Sequence, residues 1–271
     1  MEREALAPKE ALARSLSPIQ PSEETGLATR PEVPAQNPAE VLAALMDFPG
    51  SVALAELLDA PPGPGRRHPD AQARGRQLIH DIRARVTSLE SLALKPLLGR
   101  RAPAMPSPND LLEALDRHGI RSDRSTPVVE ALADELGAPL RSALSLSLRQ
   151  GQAHLATLRW ELTHDIRSLG SAAERLERID AGLSRSIQAK MGELLDRMEH
   201  AAHLTFVRAC AHAVQELPPA YTDEDLAPWC AADGWFPRYA DRCVRISRAL
   251  FGHLRRNLEG FVRAAVHAEE T

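Results

Sequence analysis

The amino-acid sequence predicts an all-α protein: an elongated helical bundle or hairpin built around one long amphipathic helix, with a disordered N-terminal tail. Three observations support this prediction. Aromatic residues make up 4% of the 271 residues, which is too few for a typical β-sandwich or barrel. No segment shows the sustained alternation of apolar and polar side chains that marks a half-buried strand. Between Leu155 and Met198, apolar residues instead recur about every 3.6 positions, the period of a straight helix.

The first part of the chain is divided by prolines. Residues 1–36 contain five prolines among Glu, Ser and Thr, which predicts a disordered Pro-rich tail. Residues 37–68 predict two short helices and a Pro/Gly linker. Residues 69–138 predict a helical segment with an arginine-rich start. Its three helices are expected from Pro69 to about Lys95, from the Ser107-Pro108 cap to Gly119, and from Thr126-Pro127 to near Gly137.

Residues 139–217 predict the long amphipathic helix. No proline interrupts the segment between Pro139 and Pro218. A continuous or kinked helix is favoured, and a hairpin hinged at Gly170 is the open alternative. A narrow apolar stripe on so long a helix needs a partner helix, from this chain or from a second copy. The candidate interface residues are Trp160, Leu162, Ile166, Leu176, Ile179 and Leu183.

Trp160 lies two residues from the stripe, which predicts an exposed interface anchor. A tryptophan that covers a neighbouring helix of its own chain is an equal alternative.

Residues 218–271 predict an aromatic turn followed by a C-terminal amphipathic helix. The turn brings Trp229, Trp235, Phe236 and Tyr239 into one short stretch of sequence.

Charge and cysteine content bear on compartment and partners. Residues 1–60 hold 4 basic and 10 acidic side chains, a net −6, whereas residues 61–107 hold 9 basic and 3 acidic, a net +6. This alternation suits segments that dock on one another. The longest apolar run, residues 41–46, is far below the ~18 residues of a membrane span. We expect no secretory signal and no direct membrane span. Three cysteines, an odd number, favour a reducing cytoplasm.

The tetrapeptide His-Asp-Ile-Arg occurs twice, at 80–83 and 164–167. Residues 163–168 resemble the phosphoacceptor box of sensor histidine kinases. The resemblance implies that His164 accepts a phosphoryl group, that Asp165 orients it, and that Arg167 offsets the developing charge. The sequence departs from that box at Leu169-Gly170, where Pro-Leu is expected. No nucleotide-binding motif follows, so a separate kinase would have to supply the phosphate. The alternative is two solvated polar helix faces.

An arginine-rich stretch offers a second binding hypothesis, in which Arg66, Arg67, Arg74 and Arg76 contact the phosphates of a nucleic acid. Acidic segments on both sides can neutralise these charges, which makes nucleic acid an unfavoured partner.

Glu199, His203 and Cys210 share a helix face, but their spacing matches no short zinc motif. The prediction is therefore no metal, no cofactor and no complete catalytic motif.

Residues from about 148 to 265 resemble an uncharacterised proteobacterial helical family. Its members are often encoded beside stator-like, peptidoglycan-binding membrane proteins. The matching residues are Leu158-Arg159, Ile166-Arg167, Leu176, Ile179-Asp180-Ala181, Leu183, Gly234-Trp235-Phe236, Leu250, Leu254, Leu258-Glu-Gly260 and Ala264-Ala265. The resemblance implies an accessory role at an envelope complex and no catalysis. The leading hypothesis is thus a cytoplasmic, non-catalytic scaffold that binds itself and another protein, the latter associated with a membrane. Nucleic-acid binding and phosphotransfer at His164 are the alternatives.

Overall fold

The computed structural model describes residues 70–268, without the side chains of 185–189. This part of the chain is helical and contains no β-strand, which confirms the all-α prediction for it. The predictions for residues 1–36 and 37–68, and those for Arg66 and Arg67, concern residues outside the described part of the chain. The helices are α1 Ala71–Ala93, α2 Lys95–Leu98, α3 Pro108–Arg117, α4 Thr126–Arg167, α5 Ser171–Glu216, α6 Asp223–Cys230 and α7 Trp235–Ala268.

The described residues fall into two compact units. Unit A comprises Val86–Ala156 and Leu195–Arg255, and it contains α2, α3 and α6 with parts of the longer helices. Unit B comprises the described residues up to Arg85, then Thr157–Leu194 and the residues from Arg256 onward. Each unit has its own buried apolar side chains.

The core of unit A is built around Phe206 of α5. Its ring centroid lies 4.8 Å from that of Tyr239 and 5.3 Å from that of Trp235. Phe236 packs edge-on to Phe206 at 5.5 Å. Gly137 of α4 lies against the same ring, since a Cβ atom there would be 2.9 Å from Cδ1 of Phe206. The aromatic residues that are close in sequence therefore form one buried cluster.

Local capping explains where the short helices begin and end. The hydroxyl of Ser107 accepts a hydrogen bond of 3.2 Å from the amide of Asp110 at the start of α3. Thr222 and Asp225 form the equivalent capping box at α6. Gly119, with φ of 67°, follows α3 in the left-handed conformation that glycine adopts without strain.

The single long helix predicted for 139–217 is wrong at its start and in its continuity, whereas its predicted end agrees with the end of α5 at Glu216. α4 begins at Thr126 and passes through Gly137 and Pro139 without ending. Pro139 lacks an N–H, but it is exposed, so water can satisfy the freed carbonyl. Buried Leu132, Leu140 and Leu144 continue the apolar stripe across the proline, and their burial keeps this stretch helical.

The long segment is also divided, because residues 168–170 separate α4 from α5. The hydroxyl of Ser168 donates a 2.7 Å hydrogen bond to the carbonyl of Asp165, a local bond that competes with helix continuation. The chain then reverses, since Arg167 pairs with Glu177 and Arg159 pairs with Asp180. Folding back lets α4 bury its stripe against the same chain.

Unit B is formed by segments of α1, α4, α5 and α7. Ile82, Ile166 and Val262 are at most 1% exposed and supply its core. Gly75 of α1 lies so close to Val266 of α7 that a Cβ atom would collide with it. The close approach shows that α1 and α7 are in direct contact in this unit.

Candidate functional site

The two His-Asp-Ile-Arg copies play the same structural role in unit B. Each isoleucine is buried, with Ile82 at 0% exposure and Ile166 at 1%. Each arginine reaches a nearly buried glutamate on another helix: Arg167 Nε donates to Glu177 at 2.7 Å, and Arg83 Nη2 lies 3.3 Å from Glu259.

The isoleucine and the arginine of each copy therefore have structural roles within unit B. The hydrogen bond that Arg167 donates to Glu177 raises the pKa of Arg167 above its ordinary value. The Arg167 guanidinium is therefore committed to a carboxylate of its own chain. His80, His164 and Asp165 are exposed, as their helical positions predict, and Asp81 is half-buried.

The Trp160 face is the most unusual surface of the described residues. We use this name for Trp160 with Thr157, His164 and Arg167, all on α4 in unit B. Trp160 is 78% exposed, more than any other large apolar side chain in this part of the chain. It lies two residues, about 200°, from Leu162, which is 3% exposed and belongs to the buried stripe.

Ion pairs occupy both flanks of α4 beside this face. Glu161 pairs with Arg85 of α1, and Arg159 pairs with Asp180 of α5. The neighbouring helices therefore contact the sides of α4, and the tryptophan ring extends away from them. Trp160 therefore does not cover a neighbouring helix of its own unit, and its role as an interface anchor stays a prediction.

The rest of the predicted interface needs correction. Leu162 and Ile166 are buried within the chain and are not available to a second copy in this fold. Leu176, Ile179 and Leu183 of α5 are partly buried. The stripe found its partner helices within the same chain, because the turn at 168–170 folds α5 back onto α4. Of the six candidate interface residues, Trp160 is the one that the described structure leaves exposed.

The arginine-rich stretch is only in part free to meet phosphates. Arg74 and Arg76 are exposed on α1. The arginines that follow, Arg83 and Arg85, pair with Glu259 and Glu161. The local acids thus neutralise half of the basic side chains of α1, which weakens the nucleic-acid hypothesis.

The residues considered for zinc make other contacts. His203 Nε2 lies 2.9 Å from Asp134 Oδ1, and Arg149 approaches Glu199 at 3.6 Å. Cys210 is fully buried, and burial raises its pKa to about 12. Within residues 70–268, no three His, Cys, Asp or Glu side chains converge as metal ligands.

Sequence reasoning missed the buried carboxylates. Glu177 and Glu259 each lie at the edge of an apolar stripe, and a carboxylate in such a position is a signal for an arginine partner on a neighbouring helix. It also missed a cavity of about 260 Å³ in unit A, lined by the 103–106 loop, α3, α4 and Phe236. Tertiary packing alone brings these segments together.

No helix of the described residues combines the length and apolarity that crossing a membrane requires. No protein-family model matches the chain, and neither a curated protein nor a solved structure matches it. The resemblance of residues 148–265 to a proteobacterial helical family therefore stays a hypothesis.

Proposed function

We propose that this chain is a non-catalytic helical scaffold that binds another protein through the Trp160 face. The observation that carries the proposal is a tryptophan 78% exposed on the side of α4 opposite its buried stripe. Large aromatic side chains of this kind are over-represented among the residues that dominate binding energy at protein interfaces. A side chain held outside the core contributes little to folding, which leaves it available to contact a partner.

The partner is proposed from two features. The resemblance of residues 148–265 suggests an accessory role at an envelope complex, with the chain itself on the cytoplasmic side. The free thiols of Cys210, Cys230 and Cys243 are compatible with a reducing compartment. A second copy of this chain is the other partner that the proposal allows, now through Trp160 and not through the buried stripe.

Replacing Trp160 with alanine in the full chain tests the proposal. The folded state should keep its free energy of unfolding within about 0.5 kcal/mol, because the side chain is mostly solvated. Co-purification from the native host and light scattering after size exclusion should both be compared with wild type. We expect loss of a specific partner or of a dimer. The matched control is Leu204→Ala, at a residue 41% exposed on α5. Unchanged partners and unchanged mass in Trp160→Ala would refute the proposal.

Phosphotransfer at His164 is the second candidate, and the openness of the site favours it. His164 on the Trp160 face and the neighbouring Asp165 are both exposed. A ring nitrogen of His164 would attack a phosphoryl group carried by a separate kinase or response regulator, and the donor residue would leave. Acid-labile label should appear with a cognate kinase and vanish in His164→Gln. His80→Gln is the comparison variant. Full labelling of His164→Gln would exclude His164 as the phosphorylated residue.

A further inference from the structure

The cavity in unit A has an apolar floor and a charged mouth. The floor is formed by Ala114, Leu140 and Phe236, which are at most 4% exposed. Pro103 and Pro106 close one side with rigid rings. At about 260 Å³ the cavity is smaller than ordinary ligand pockets, so it suits one side chain or a small ion with a short apolar stem.

Three carboxylates and one guanidinium line the mouth: Asp110, Glu113, Glu135 and Arg117. Arg117 pairs with Glu135, although Glu113 stands four residues before it on the same helix. His118 Nε2 adds a second contact to Glu135 at 2.8 Å. Glu135 is therefore contacted by two side chains, while Glu113 has no ion-pair partner among residues 70–268.

Two of the three carboxyl groups at the mouth, those of Asp110 and Glu135, have lowered pKa values. Hydrogen bonds from the side chain and the backbone of Ser107 hold the pKa of Asp110 below its usual value. Both bonds are made to Oδ2 of Asp110, at 2.7 and 2.8 Å. The hydrogen bond with His118 lowers the pKa of Glu135. With Arg117 included, the mouth carries two negative charges in excess.

We propose that this cavity binds an alkyl cation of the arginine side-chain type. The apolar stem would lie on Leu140 and Phe236, and the guanidinium would meet Glu113 and Asp110 at the mouth. A planar guanidinium suits such a site because it forms bidentate hydrogen bonds with carboxylates and stacks on aromatic rings. The cation can come from a partner protein or from a free small guanidinium compound. The site lies in unit A and does not depend on the Trp160 face.

The test uses ¹⁵N-labelled full chain and two probes, the peptide acetyl-Gly-Arg-Gly-amide and ethylguanidinium. Saturable amide shifts are expected at residues 103–117 and 135–140, and they should weaken with added salt. The same peptide with citrulline, which is neutral and similar in shape, should produce none. If both probes saturate the site, a free small guanidinium compound is sufficient for binding. If only the peptide saturates it, the ligand is the arginine side chain of a partner protein.

Substitutions at the mouth separate the site from general charge effects. Glu113→Gln should weaken peptide binding about two- to fivefold, as expected for one solvent-accessible ion pair. Glu113→Lys should abolish it by placing a cation at the mouth. Glu130→Gln, an exposed α4 position that does not line the cavity, should leave affinity unchanged. The proposal is overturned by absent shifts at the cavity, by equal binding of the citrulline peptide, or by wild-type affinity in Glu113→Lys.

Discussion

Two glycines within helices, Gly137 in α4 and Gly192 in α5, differ in what an added Cβ atom would contact. At Gly137 it would lie 2.9 and 3.0 Å from Phe206, whose ring is held by three other aromatic rings. At Gly192 nothing lies within 4 Å. Gly137→Ala should therefore lose about 1–2 kcal/mol, since overpacking outweighs the gain in helix propensity. Gly192→Ala should gain about 0.5–1 kcal/mol.

Chemical denaturation of the two variants measures both effects. The substitution is the same in each case, so intrinsic helix propensity cancels in the comparison. Equal stability of Gly137→Ala and Gly192→Ala would contradict the close contact with Phe206.

The three cysteines should differ in reactivity. Burial raises the pKa of Cys210 and of Cys243 to about 12, so both thiols stay protonated in the native protein. Cys230 is partly exposed, and burial raises its pKa as well. Iodoacetamide should alkylate Cys230 first under native conditions and all three in guanidinium chloride. Mass spectrometry of the alkylated peptides measures the order, and native labelling of Cys243 at the rate of Cys230 would disprove it.

At the scale of the helix, the arginines of the repeated tetrapeptide hold the buried glutamates of unit B. The Glu177 side chain is 7% exposed and accepts from Arg167. Arg167→Ala should destabilise the fold by about 1–3 kcal/mol, because it leaves a desolvated carboxylate without its donor. Adding Glu177→Leu should recover most of that loss, since the uncompensated charge is removed.

The control is an exposed ion pair within α5, the helix that carries Glu177. Arg178 and Glu174 form an exposed i,i+4 pair, with side chains 58% and 43% exposed. Arg178→Ala should cost at most about 0.5 kcal/mol. Thermal or urea unfolding of the single and double variants gives the free energies. A cost for Arg167→Ala no larger than that for Arg178→Ala would show that the Glu177 contact does not stabilise the fold.

Helix ends were predictable where the signal is local. Ser107 and Gly119 act within one turn of chain, and each lies where the sequence predicts a helix boundary. The helix through Pro139 was not predicted, and the hinge at Gly170 was predicted only as the alternative to a continuous helix, because both outcomes depend on distant residues. A helix continues through Pro139 when its stripe is buried on both sides. The same periodic stripe can belong to one rod or to two antiparallel helices, and the turn at 168–170 leaves the period intact.

For the whole molecule, His203 makes stability depend on pH. Burial is the main cause that lowers its pKa from 6.5, and the charges of Arg141 and His200 act in the same direction, while Asp134 opposes them. Because the folded-state pKa is depressed, the unfolded chain takes up the proton first as pH falls. The stability linked to neutral His203 is present above about pH 6.5 and declines as pH falls toward the folded-state pKa.

His203→Gln should make that decline shallower. Urea unfolding above and below about pH 6.5 measures it. His212→Gln is the control, since His212 lies on the same helix with its side chain 69% exposed. An unchanged pH slope in His203→Gln would exclude His203 as the source.

The helical class, the buried stripe of α4 and the exposure of His164 could be predicted from the sequence, which left the exposure of Trp160 open. These depend on the 3.6-residue period and on capping, which are properties of neighbouring residues. Tertiary structure decided which helix covers the stripe of α4, which carboxylates take the arginines, and where a cavity opens. Those outcomes depend on side chains far apart in sequence, such as Arg83 and Glu259, whose meeting no local pattern encodes.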